Sequence, residues 1–278
     1  VSTDAVRTQS GIIGGAEALG TLDLDGTLTM TGVATTVGIL DLDGTYNGVG
    51  TSLTVNGIST LDGTVDVVTG IVLTGASTLE DTTTLEVDTA AGTAEEILFG
   101  ATLNSTANEN NNITLKAQVI EFDGIVGGAT NGGLGNLIIT GILDLDAAIT
   151  DVETLTVSST TSLGAAITTT GTTGTTMTFT DGVTLTAASV LTTANTDISL
   201  EAVAGAFNLG LVAGTGNITA SGAITAVTTM TLTSATTATF AAVTNATETQ
   251  LDSTGTNSFG GILTSPIVDI NAGTTTFV

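Results

Sequence analysis

The chain has 278 residues, with 27 acidic side chains against two basic ones, Arg7 and Lys116, and neither histidine nor cysteine. That composition excludes disulfides, thiolate and imidazole metal sites, and Ser-His-Asp or Cys-His catalysis. A formal net charge of −25 opposes binding to nucleic acid or to an anionic membrane surface, since both are met with Lys and Arg.

The text repeats from its first third onward. Leu22-Asp23-Leu24-Asp25-Gly26-Thr27-Leu28 returns as Leu40-Asp41-Leu42-Asp43-Gly44-Thr45-Tyr46, then as Thr60-Leu61-Asp62-Gly63-Thr64-Val65. A later copy, Leu143-Asp144-Leu145-Asp146, lacks the glycine. Between and beyond these copies run short alternating segments ending at Gly, Asn or Asp. Examples are Leu53-Thr54-Val55-Asn56-Gly57, Leu155-Thr156-Val157, Met177-Thr178-Phe179 and Met230-Thr231-Leu232. A period of two with β-branched Thr, Val and Ile predicts strands with one apolar and one hydroxyl-bearing face. The 36 glycines supply the turns.

Residues 90–99 (AAGTAEEILF) are the best candidate for a helical turn or two, or for a loop excursion. The Asn-rich stretch 104–112 (NSTANENNN) and the glycine-dense stretch 124–135 read as loop insertions in a single domain spanning 1–278. No run approaches the roughly 18 apolar residues of a membrane helix. One Tyr, seven Phe and no Trp are too few for the aromatic girdles of a membrane barrel. Val1 at the start fits a processed chain or a fragment boundary equally.

Short strands returning every 18–21 residues predict an all-β fold, a parallel β-solenoid. Each coil holds two or three strands, stacked on the next about 4.8 Å away. Its narrow interior takes Leu, Val, Ile and Ala and has little room for aromatics.

The segment 209–225 (LGLVAGTGNITASGAIT), residues 194–200 (ANTDISL) and the Asp-Gly-Thr units together resemble secreted bacterial β-helix proteins of the filamentous haemagglutinin and autotransporter-passenger type. The likeness covers most of the sequence in style. It implies an extracellular right-handed β-helix, and it brings no active-site residues with it.

Leucines facing inward turn the aspartates between them outward. Stacked copies would then align Asp25, Asp43 and Asp62, with Asp23 and Asp41 alongside. Like charges one rung apart repel by about 1 kcal/mol in water. Such a ladder either titrates upward, gathers a divalent cation such as Ca²⁺, or stands as a solvated acidic face. Paired carboxylates also serve glycosidases, but the aromatics and basic groups that hold sugars are scarce here. Thr-x-Thr units are too scattered for a flat ice-binding face. Asn104, Asn112, Asn217 and Asn245 open N-x-Ser/Thr glycan acceptors; glycans on Thr are equally conceivable from the hydroxyl supply.

The expectation is a non-enzymatic extracellular structural protein, secreted or at the cell surface, forming filaments or a surface layer. The two ends of the sequence are apolar and Thr-rich without a charged cap, which suggests head-to-tail addition of one copy to another. The alternatives are an adhesin-like rod that binds through its loops, and a carbohydrate-active β-helix enzyme.

Overall fold

A computed structural model of the protein describes residues 7–10, 18–32, 34–88, 95–245, 247–271 and 273–277, the first four as backbone only. Among these residues the regular structure is all strand, the strands run parallel, and they stack as a β-solenoid. The protein forms two compact units, Val1–Ile142 and Leu143–Val278.

In the first unit the strands fall into three stacks. One contains Leu19–Leu24, the end of Thr35–Leu42, Ser59–Leu61, Ser77–Leu79 and Leu103–Ser105. The second contains Thr27–Thr31, Thr45–Val49, Thr64–Val67, Thr83–Val87 and the start of Ile113–Phe122. The third contains the start of Thr35–Leu42, then Ser52–Val55, Gly70–Leu73, Glu96–Phe99 and the end of Ile113–Phe122.

The register carries Leu24 onto Leu42, Leu61 and Leu79, steps of 18, 19 and 18 residues. All four are fully buried, as are Leu22 and Leu40. The next step, Leu79 to Ser105, takes 26 residues: nine positions separate Val87 from Glu96 where the preceding rung has three from Val67 to Gly70, and five separate Leu79 from Thr84 where it has three from Leu61 to Thr64. Residues 89–94, which hold the first half of the candidate helical turn or loop excursion, lie outside the described residues. The expected helical turn is corrected here for its second half. Glu96–Phe99 is a strand paired on both sides, because Ile97 and Phe99 alternate into the core and Phe99 stacks on Phe122 at 5.1 Å.

The Asn-rich stretch begins in a strand, since Asn104 lies between buried Leu103 and Ser105. The irregular part is 106–112. In the glycine-dense stretch Val126 still bridges Leu103, and Leu134 opens the next strand.

Some polar groups inside this unit find partners, while Thr51 Oγ1 and Glu95 Oε1 are buried without one among the described residues. The Tyr46 hydroxyl donates to Thr35 Oγ1 at 2.6 Å, and Ser59 and Ser77 share a hydrogen bond of 2.8 Å between adjacent rungs. The glycines of the Asp-Gly repeat are also explained by the stacking. A Cβ on Gly44 would stand 2.1 Å from the Gly26 carbonyl oxygen, and one on Gly63 would stand 2.0 Å from that of Gly44. The corner is closed by backbone lying on backbone.

The second unit repeats the plan. Its first stack carries Leu143, Thr161, Val183, Val203, Ile224, Val243 and Leu263 in register. Its third carries Val157 onto Phe179, then a column from Ala220 to Phe240, Phe259 and Phe277. The last three rings stack at 5.4 Å each. Pro266, which lacks an N–H for the ladder, sits at the corner before Ile267–Ile270.

One rung of this unit is polar inside. Asn245, Thr249, Ser253 and Asn257 are all buried. Asn245 donates from Nδ2 to Thr249 Oγ1 at 2.7 Å. Both polar atoms of the Asn257 side chain, however, and Ser253 Oγ, are buried without a protein partner among the described residues. Elsewhere in the unit the inward hydroxyls of Thr169, Thr176 and Thr196 form a bonded series of 2.8 and 2.5 Å.

Two thermal-melting outcomes follow. Gly44→Ala lowers the melting temperature sharply, while Gly20→Ala, with open space around it, leaves it unchanged. Asn257→Leu raises it, because removing a buried unpaired amide recovers about 1–3 kcal/mol.

Candidate functional site

The acidic repeat is positioned by the stack it belongs to. In Leu22-Asp23-Leu24-Asp25 the leucines fill the core, so the aspartates turn out. Asp23 lies in register with Asp41, and the same outward column continues as Thr60, Thr78 and Asn104. The neighbouring column runs along the corner that follows Leu24, Leu42, Leu61 and Leu79. Its members are Asp25, Asp43, Asp62 and Glu80. The backbone locks that corner rung to rung. The Asp43 N–H donates to Leu24 O at 2.9 Å, the Asp62 N–H to Leu42 O at 2.6 Å, and the Glu80 N–H to Leu61 O at 2.9 Å.

The five acids that the repeat picks out, Asp23, Asp25, Asp41, Asp43 and Asp62, are therefore neighbours on one face. Glu80 and Asp81 extend the ladder beyond the acids that the repeat identifies. Their copy, Ser77-Thr78-Leu79-Glu80-Asp81, keeps the leucine at its step but replaces the Asp-Gly pair. The signal that finds it is an acid following a leucine 18 residues after Leu61. The later copy, Leu143-Asp144-Leu145, belongs to the second unit, where Asp144 stands against Ser162 and then Thr184. That column carries no acid ladder.

Partial burial and, after it, the crowding of like charges set the electrostatics of the ladder. The Asp41 carboxyl is held above the usual carboxylate range, first by partial burial, then by Asp43, Asp23 and Asp25. Asp62 is raised by burial, Asp81 and Asp43. Glu80 is raised by burial and by Asp41, Asp43, Asp62 and Glu109. Carboxylate oxygens in such a row are hard donors of the kind that Ca²⁺ takes. They could gather a divalent cation, and protons would relieve the same repulsion.

Two further acidic groups flank the ladder within the first unit. The outward column Asn47, Asp66, Glu86, Lys116 brings Lys116 Nζ to 3.0 Å from Glu86 Oε2. Asp66 is raised by burial, Glu86 and Asp88, and Lys116 opposes that rise. Near the strand Glu96–Phe99, the Glu121 carboxyl is pushed up to about 7. The leading cause is its hydrogen bond with Glu96, followed by burial and the charge of Asp123.

The glycan acceptors are all engaged in the fold. Asn104 Oδ1 accepts from the Ala129 N–H and Asn112 Oδ1 from the Asn136 N–H. Asn217 Nδ2 donates to Asp197, and Asn245 is buried. On the second unit, a groove of about 340 Å³ is lined by Val190, Asn208, Gly210, Val212 and Thr231 among others. No helix among the described residues is long and apolar enough to cross a membrane. Comparison with protein-family models, with curated proteins and with solved structures gives no match.

The raised carboxyls fix a direction for pH. A group whose folded pKa lies above its unfolded value contributes stability that is fully present below the unfolded pKa and is lost as pH rises through the folded one. Asp41, Asp62, Asp66, Glu80 and Glu121 all act in this sense. The melting temperature accordingly falls as pH is raised from about 4.5 to above 7. Added salt or Ca²⁺ recovers part of the loss by screening or bridging the ladder. Glu121→Gln flattens the portion between the ordinary glutamate value of 4.5 and about 7, as followed by thermal melts across a pH series.

Proposed function

We propose that this protein is a non-enzymatic structural component of the cell exterior, a β-solenoid subunit of a filament or surface layer that adds copies of itself end to end. The observation that carries the reading is the parallel, rung-on-rung stacking of short strands in both units, which the last described strands also follow. Ile267–Ile270 pairs with Glu248–Leu251, and Thr274–Phe277 pairs with Thr256–Phe259. Among the described residues nothing pairs with their opposite edges. Val268, Ile270 and Phe277 continue buried columns, yet they are 41%, 40% and 58% exposed. An edge of this kind is complemented by another parallel rung with apolar side chains at the same positions, and a solenoid built this way can take that rung from a second copy as well as from its own polypeptide.

Other features fit the reading. With Arg7 and Lys116 as the sole basic residues, trypsin-like proteases find almost nothing to cut, which suits an exposed, durable material. The resemblance to filamentous haemagglutinin and autotransporter passengers points to secretion. The second reading is an adhesin-like surface, favoured by the groove beside Val190 and Gly210. Its polar rim of Asn208 and Thr231 beside apolar Val190 and Val212 offers a contact patch.

Negative-stain electron microscopy of the purified protein, with and without Ca²⁺, tests the proposal. Particles joined end to end, shortened by Ile270→Asp, are expected. Discrete single particles at every concentration would overturn it in favour of the adhesin reading.

A further inference from the structure

Three Asn-Gly pairs occur in the first unit, and the structure treats them differently. Asn47-Gly48 lies inside Thr45–Val49, paired to strands on both sides. Asn131-Gly132 sits in an irregular segment, but its backbone is tied down. The Asn131 carbonyl accepts from the Asn108 N–H at 2.7 Å, and the Gly132 N–H donates to Ala129 O at 3.0 Å. Asn56-Gly57 is at a corner, after Ser52–Val55 has ended. Asn56 is exposed, and its own N–H donates to Val37 O at 2.9 Å. Neither its side-chain amide nor the Gly57 N–H has a partner among the described residues.

We propose that Asn56 is a site of spontaneous deamidation, and that the fold confines this chemistry to it among the three pairs. The Gly57 backbone nitrogen gives up its proton and attacks Cγ of Asn56. A new bond from that nitrogen to Cγ closes a five-membered succinimide, and the bond between Cγ and Nδ2 breaks with loss of ammonia. Water then opens the ring at either carbonyl, leaving aspartate or isoaspartate at position 56. No oxidant, reductant or catalyst enters. Glycine at position 57 presents no side chain to hinder the attack. A free N–H and a free amide at a bend allow the two groups to approach. At Gly132 the attacking nitrogen is held by a hydrogen bond, and at Asn47 the ladder fixes the backbone in an extended form.

The position gives the reaction a structural consequence. Gly38, Gly57 and Gly75 stack at this corner with no room between them. A Cβ on Gly57 would stand 2.4 Å from the Gly38 oxygen, and one on Gly75 would stand 2.2 Å from the Gly57 oxygen. Isoaspartate puts an extra methylene into the backbone beside that contact, and either product adds a negative charge to an already acidic unit.

The test is ageing of the folded protein at mildly alkaline pH, followed by digestion with an acid-specific protease and mass mapping. Asn56 converts first, faster as pH rises, with ammonia and isoaspartate formed in step, while Asn47 and Asn131 keep their amides. In urea the three pairs convert at comparable rates. Asn56→Gln, a change at an exposed unpaired side chain, abolishes the early conversion. Retention of the Asn56 amide in the folded protein, or equal conversion at all three pairs without urea, would overturn the proposal.

Discussion

Parallel, in-register contact between successive rungs governs each unit. Where the ladders run without the register shifts seen in the second unit, a position lies on its counterpart one turn away, and like meets like. For leucine this is favourable, and the columns from Leu24 to Leu79 and from Phe240 to Phe277 show it. For aspartate it is unfavourable, since charges repeat at the spacing of the sheet. The same rule that builds the core therefore also builds the acidic face, where the carboxyls of Asp41, Asp62 and Glu80 are raised first by partial burial and then by the neighbouring acids.

The rule also sorts the polar groups placed inside. Hydroxyls can donate and accept at once, so Ser59 with Ser77, and Thr169 with Thr176 and Thr196, bridge across the interior. An amide needs more partners than a neighbouring aliphatic rung can offer. Asn257 lies between Ala238 and Thr275 in the ladder; alanine has nothing to give it, and the Thr275 hydroxyl is itself buried without a partner among the described residues. What decides the cost is the partner rather than the residue type: Asn245 is bonded to Thr249, while the Thr51, Thr161 and Ser253 hydroxyls, like the Asn257 amide, are buried without one among the described residues.

Much of this architecture is legible in the sequence because the period is carried by the strongest signals, leucine alternation and the Asp-Gly corner. The strand class, the coil length and the inward leucines of the first repeats follow directly. Glu80 and Asp81 escape because their copy preserves the leucine and loses the glycine. The strand Glu96–Phe99 escapes because its two adjacent acids and long aliphatics imitate a helical turn, and pairing on both sides outweighs that local preference. The unpaired Asn257 amide cannot be read at all, since inward and outward asparagines look alike until the register is known.

The 26-residue step from Leu79 to Ser105 returns the backbone to the same stack as the 18-residue steps do. Length is therefore freer between strands than within them, where the differences amount to single-residue bulges. In evolutionary terms, a gene for such a protein can gain or lose segments at a bend and remain foldable. A single codon inserted within a strand would turn the residues after it to the opposite face, so variation should collect where the rungs bend.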